Sequence, residues 1–158
     1  MKLNKFILGI GLFASTVLAT ACTNKVNIKE NYDQSEIQKV CFLTLYYKTN
    51  RRETLALEKF IQNSFDKLSM PTQQVGSVEE ARDSDCSHYF IYSAKFKHTF
   101  TKKTNFKIYK INHSSTTFFP LANIGLRRKV YFDGSYGAQD YIDKVVNALL
   151  TGNKDVDL

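Results

Sequence analysis

Tyr89-Phe90-Ile91-Tyr92-Ser93-Ala94-Lys95-Phe96-Lys97-His98-Thr99-Phe100 is the longest run in the chain with a strand's period of two. Phe90, Tyr92, Ala94, Phe96 and Phe100 share one face, while Ser93, Lys95, Lys97 and Thr99 share the other. One face of this strand belongs in a core and the other in water. Cys86 falls in phase with the apolar face. Upstream, Val40-Cys41-Phe42-Leu43-Thr44-Leu45-Tyr46-Tyr47 is apolar on both faces, as a central strand is. Cys41 is in phase with Leu43 and Leu45, so the two thiols meet if these strands are neighbours.

Between the two strands, Asn50 with Glu53 three residues on makes a helix N-cap and its reciprocal partner. Leu57, Phe60, Ile61, Phe65 and Leu68 then recur on one helical face, and Pro71 ends the helix. Thr72 to Gly76 is a weak strand candidate, and Ser77-Val78-Glu79-Glu80 is a capped helical turn. After Phe100, Thr101-Lys102-Lys103-Thr104-Asn105 reads as a hairpin loop, with a strand from Phe106 to Asn112. His113 to Asn123 reads as irregular and Leu126 to Asp133 as the last strand. A second amphipathic helix from about Ala138 to Leu150 carries Tyr141, Ile142, Val145, Val146, Leu149 and Leu150, capped by Gly152. The expected fold is α+β, with two helices packed on one face of a small, mostly antiparallel four- to five-stranded sheet, a β-α-β-β-β-β-α sandwich.

The N-terminus sets the compartment. Lys2 and Lys5 precede an uncharged run from Phe6 to Leu18, and Ala19-Thr20-Ala21 supplies small residues before Cys22. This is the layout of a secretory signal peptide, with an apolar run shorter than the roughly 20 residues that span a bilayer. A cysteine at the cleavage point resembles the lipobox of bacterial lipoproteins, although Leu18 lies four residues before Cys22. The other reading is plain secretion with an incidental cysteine. The expected organisation is a signal peptide at 1–21, an acylated N-terminus and tether at 22–38, one domain at 39–152 and a flexible tail at 153–158. Removal of 1–21 leaves 137 residues with a net charge of +5. In an oxidising compartment Cys41 and Cys86 form an even pair and are expected as a disulfide; the competing reading is two buried thiols.

The spacing V-C-x-L at Val40, Cys41 and Leu43, then C-x-x-Y-x-x-Y-S-A-x-F at Cys86, Tyr89, Tyr92, Ser93, Ala94 and Phe96, then Val130, Tyr131 and Asp133, resembles a group of small uncharacterised Gram-negative lipoproteins. Where those proteins carry Trp-x-Trp-Asp, this chain has Phe96-Lys97-His98-Thr99. The element order is also similar to that of the lipoprotein that plugs the outer-membrane lipopolysaccharide translocon. The resemblance implies a lipid-anchored envelope protein, and Thr23 after the acylated cysteine implies the periplasmic side of the outer membrane.

No H-E-x-x-H, G-x-S-x-G, phosphate-cradling glycine loop or C-x-x-C occurs, so no enzyme, cofactor or metal is expected. His88 and His98 are ten residues apart on one strand, roughly 33 Å, too far to share a metal. His88 near Cys86 has the ingredients of a thiol nucleophile, against the plainer reading of a disulfide cysteine beside a strand-entry histidine. The charge distribution says more. Between Asp85 and Asp133 there is no acid, yet Lys95, Lys97, Lys102, Lys103, Lys107, Lys110, Arg127, Arg128 and Lys129 fall there. Two readings stand open. These are lysines guarding sheet edges against aggregation, or they form an anion-binding surface made by Lys95, Lys97, Lys102, Lys103, Arg127, Arg128 and Lys129, densest at the last three. The partners expected of such a surface are anionic lipid, lipopolysaccharide or an acidic periplasmic protein, and not nucleic acid. The roles in view are a non-enzymatic binding or structural lipoprotein, a lipid- or lipopolysaccharide-binding assembly factor, and an inhibitor or immunity lipoprotein.

Overall fold

The computed structural model describes residues 24–30, 32–43, 51–115 and 118–158. The expected signal segment, Cys22, the Asn50 cap and residues 44–47 of the first expected strand lie outside these.

The chain is α+β, but the expected small antiparallel sheet is overturned. A single seven-stranded mixed sheet runs in the order β1-β6-β5-β4-β2-β3, with β7 paired to β5. The strands are β1 (Lys25–Ile28), β2 (Val40–Leu43), β3 (Thr72–Val75), β4 (His88–Lys97), β5 (Phe100–Lys110), β6 (Phe119–Leu126) and β7 (Val130–Tyr131). The helices are α1 (Arg51–Lys67), α2 (Val78–Asp83) and α3 (Ala138–Thr151). The fully apolar β2 pairs parallel with β3 on one side and β4 on the other. The remaining pairs are antiparallel.

Alternation along β2 sends its side chains into two separate cores. Val40 and Phe42 join Phe90, Tyr92, Phe106, Ile108 and Ile124 beneath Leu57, Ile61 and Phe65 of α1 and Ile142, Val145 and Leu149 of α3. The Phe42, Phe65 and Phe90 rings meet at centroid distances of 5.2–6.5 Å, within the range of favourable edge contacts. Tyr92 donates to Glu58 Oε1 at 2.8 Å, tying α1 to the sheet inside this core. Leu68, expected on the apolar stripe, is 41% exposed past the end of α1. The second core, on the opposite face, gathers Cys41, Leu43, Val75, Ala81, Cys86, Tyr89 and Ile111. It is covered by α2, which starts at Ser77, whose Oγ accepts from the Glu80 amide at 3.1 Å, while Glu80 accepts from the Gly76 amide at 2.7 Å. Thus α1 and α3 share one face, as expected, and a third helix covers part of the other.

Four details depart from the sequence expectation. The hairpin turn is His98-Thr99, with Lys97 opposite Phe100, and residues 101–105 continue β5. A bulge between Lys95 and Phe96 lets Lys102 stand out of register. The stretch expected to be irregular contains β6, whose Pro120 is tolerated beside a second register shift at Ile108/Tyr109. Within the segment read as a tether, Lys25–Ile28 pairs with β6. Tyr32 also donates to the Leu149 carbonyl and packs on Gly152, whose left-handed backbone (φ 72°) caps α3. The tail segment carries contacts too: the Asp157 carbonyl accepts from Lys144 at 3.0 Å.

Cys41 and Cys86 form a disulfide with a Cα–Cα distance of 5.6 Å. Their meeting does not depend on the expected phase. Cys86 precedes β4, outside its alternation, and reaches the face of Cys41 and Tyr89. The bond closes a loop of sequence separation 45, which chain-entropy arguments credit with about 4 kcal/mol. Cys86→Ala is expected to lower the unfolding free energy by about 2–4 kcal/mol in a denaturant titration, and the unfolded, unreduced wild-type domain to show no reactive thiol from this pair.

His88, at the start of β4, is 0% exposed, and its Nε2 finds no partner among the described residues. Burial holds its imidazole down at about 4, with repulsion from Lys110 adding to the effect and Glu36 opposing it. The folded state therefore keeps His88 neutral where the unfolded chain, titrating near 6.5, takes up a proton. Stability is expected to be fully present above about pH 6.5 and to fall as pH drops toward 4. In urea titrations the loss between about pH 7 and pH 5 should shrink in His88→Leu. An equal loss in both proteins would show that another group carries it.

Candidate functional site

On the α2 side, coverage stops with the second core, and the remainder of β1, β4, β5 and β6 presents an open face. Its composition follows from strand register. Lys95 lies directly opposite Lys103; Ser93 opposite Asn105, then Gly125 and Lys25; Lys107 opposite Asn123, then Asn27. Lys25, Asn27, Ser93, Lys95 and Lys103 are exposed. Lys25, Ser93, Lys103, Asn105, Asn123 and Arg127 line a shallow hollow around Gly125. A Cβ at Gly125 would fill the space between Asn105 Oδ1 at 3.5 Å and the Lys25 Cβ at 3.8 Å. Asn123 Oδ1 is buried here without a hydrogen-bond partner.

The expected cluster is only partly gathered. Lys95, Lys97 and Lys103 share the open face, since Lys97 pairs with Phe100 beyond the bulge and Phe100 with Tyr131. Lys102 stands at the bulge. The expected densest point divides. Arg127 lines the hollow, Lys129 lies over the Phe100 ring at 4.8 Å, and Arg128 turns away to stack on Tyr141 of α3 at 4.1 Å. Lys110, from the same acid-free run, pairs with Glu36. Among the described residues, Lys25, Lys95, Lys97, Lys102, Lys103, Lys107, Arg127 and Lys129 form no ion pair; the pairs present are Lys39–Asp85, Lys67–Asp143, Arg82–Asp83 and Lys110–Glu36.

The location of the lysines bears on the edge-guard reading. Lys103 and Lys107 sit on β5, which is flanked by β4 on one side and β6 on the other. Lys25 is on an edge strand, because β1 ends the sheet, and Lys95 and Lys97 lie on the part of β4 beyond its described pairing with β2, which ends at Phe90. Two lysines directly opposite each other repel, so the Lys95–Lys103 pair costs stability. Edge protection accounts for Lys25, Lys95 and Lys97, but it does not require Lys103 opposite Lys95 on interior β5.

Sequence reasoning missed Lys25, Asn105, Asn123, Tyr131 and Tyr136 as parts of this face, and it set Phe100 on the core face with Phe96, whereas the register shift at Lys95/Phe96 places Phe100 opposite Lys97 on the open face. The rings of Phe100 and Tyr131 lie 5.3 Å apart and those of Tyr131 and Tyr136 4.8 Å apart. The alternation of Lys103, Asn105 and Lys107 along β5 was a usable signal; the position of Lys25 becomes visible only when β1 pairs with β6. His88 and His98 stand at the start of β4 and in the turn after it, and the Cys86 sulfur is taken up in the disulfide, so the thiol-nucleophile reading fails. Among the described residues no group of His, Cys, Asp or Glu is placed to hold a metal ion, and no helix is long and apolar enough to cross a membrane.

No family model and no curated protein matches the chain. Among solved structures it is similar to the PelC dodecamer from Paraburkholderia phytofirmans, with a TM-score of 0.54 and 14% identity over 81% of this chain and 99% of that one. A single-residue variant of the same dodecamer gives a TM-score of 0.53 at 14% identity over 81% and 98%. At this identity the likeness is one of fold.

Proposed function

We propose that the chain is a non-enzymatic envelope lipoprotein of the small Gram-negative type, acylated at Cys22 and held on the periplasmic side of the outer membrane. Its domain binds phosphate-bearing anionic lipid, including lipopolysaccharide, through the open sheet face. The observation that carries this reading is the Lys95–Lys103 pair on the open face, beside Lys25, Lys107 and Arg127, with no acid paired to any of them among the described residues. A surface that retains mutual repulsion without local compensation is suited to an external anion, which would neutralise it on contact. The polar lining of Ser93 and Asn105, and the unmet amide oxygen of Asn123, add hydrogen-bonding capacity beside the cations.

Near a membrane each cation contributes about 1 kcal/mol, so three together correspond to roughly a hundredfold in affinity. In the soluble domain lacking Cys22, the combined Lys95→Glu, Lys103→Glu and Arg127→Glu variant is expected to lose at least that factor for anionic vesicles or lipopolysaccharide at low salt, because each reversal also adds a repelling charge. The loss should be smaller at physiological ionic strength, where the Debye length falls to about 8 Å. Folding should be preserved, because exposed charges contribute little to stability. A wild-type domain that ignores anionic lipid even at low salt would contradict the proposal and leave an acidic protein as the better partner.

A further inference from the structure

The chain enters the fold at the basic end of the open face. Lys25 begins β1 and lines the hollow with Lys103 and Arg127. Just before it, Asn24 Oδ1 accepts from the Arg127 amide at 3.1 Å and Asn24 Nδ2 donates to the Leu158 carbonyl at 2.6 Å. The start of β1 is therefore fastened on both sides. Cys22 stands three positions before Lys25 in the sequence. At most about 3.6 Å per residue is available, so the two lie within about 11 Å of each other whatever path the chain takes. That reach is close to a Debye length at physiological salt.

We infer that the domain docks on the same leaflet that holds its own acyl chains, with the open face of β1, β4, β5 and β6 laid against anionic headgroups. The inference rests on the proposed acylation of Cys22 and on the anion-binding reading of the face. The short connection keeps the cations at high effective concentration over the surface, so a weak attraction is enough to orient the domain. The acyl group holds the protein and the charges set which way it faces.

A second observation favours a lipid surface over a soluble anion. Phe100, Tyr131 and Tyr136 form a continuous group of rings beside Lys97 and Lys129. Tyr136 is 78% exposed and has a left-handed backbone (φ 58°), unusual for a bulky residue, between Gly134 (φ 77°) and Gly137 (φ 67°). Tyrosine rings with an apolar body and a polar tip settle at the headgroup level of bilayers. Cations with amphipathic rings beside them, next to an anchor, make up the usual equipment of an interfacial surface.

The test uses the full lipidated protein in vesicles of phosphatidylcholine with about a third phosphatidylglycerol, carrying a headgroup-level fluorescence quencher. A fluorophore is attached at Ser93→Cys, on the open face, or at Lys59→Cys, exposed on α1. Quenching is expected to be several-fold greater at 93 than at 59, and the contrast to collapse at about 1 M salt, where the Debye length is about 3 Å. Equal quenching at the two sites, stronger quenching at 59, or a contrast indifferent to salt would overturn the docking. Vesicle flotation and palmitate labelling, with Cys22→Ser as control, separate the two failures. A wild type that neither floats nor labels defeats the lipoprotein reading and the docking with it. A wild type that floats and labels but shows no contrast defeats the docking alone.

Discussion

The fold depends on one constraint: β2 pairs parallel on both sides and is apolar on both faces, so both faces of the sheet around it must be covered. One face is covered by α1 and α3, which lie over Val40 and Phe42. The other is covered by α2 and the disulfide, with Tyr89 stacked on Tyr109 at 4.7 Å and Phe118 edge-on at 4.9 Å. Antiparallel strands need only one buried face. Once β4, β5 and β6 run beyond the parallel pairs, the α2 side has no apolar requirement and is free to carry charge. The position of the candidate surface thus follows from where the parallel pairing ends.

That freedom explains how a basic face is possible, and the pattern of cations explains why it is informative. Lysines scattered singly on a sheet are ordinary. Here two are set directly opposite each other, a third, Lys107, lies four residues along β5 from Lys103, and Arg127 and Lys25 close the hollow from the end of β6 and the start of β1. The ion pairs that described acids form lie elsewhere: Asp85 with Lys39, Asp143 with Lys67 and Glu36 with Lys110.

Local chemistry made much of the fold legible in the sequence. The amphipathic stripes of α1 and α3, the Ser77 cap and the Gly152 terminus are set within a few residues, and they are where they were expected. The disulfide was legible from the compartment rather than from strand phase, since Cys86 lies outside the alternation of β4. The errors come from pairing across long sequence separations. Thr101 to Asn105 has turn-like polar composition, but Thr101 and Thr104 are buried and hydrogen-bonded to each other at 2.8 Å while Lys103 and Asn105 face out. The stretch read as irregular holds β6, whose Pro120 survives beside a register shift. A four-residue polar strand such as β1 has little signal of its own and exists because β6 offers an edge. Missing β1 also hid Lys25, and with it the short sequence separation between the basic face and Cys22.

The central claim is that an anionic lipid surface meets this sheet face and not the helical one. Lysine acetylation footprinting of the soluble domain, read by mass spectrometry with and without anionic vesicles, tests it most directly. The account predicts protection of Lys25, Lys95, Lys103 and Lys129, with Lys59 and Lys67 on α1 modified at the same rate in both conditions. Protection spread evenly over both sets, or concentrated on α1, would contradict it.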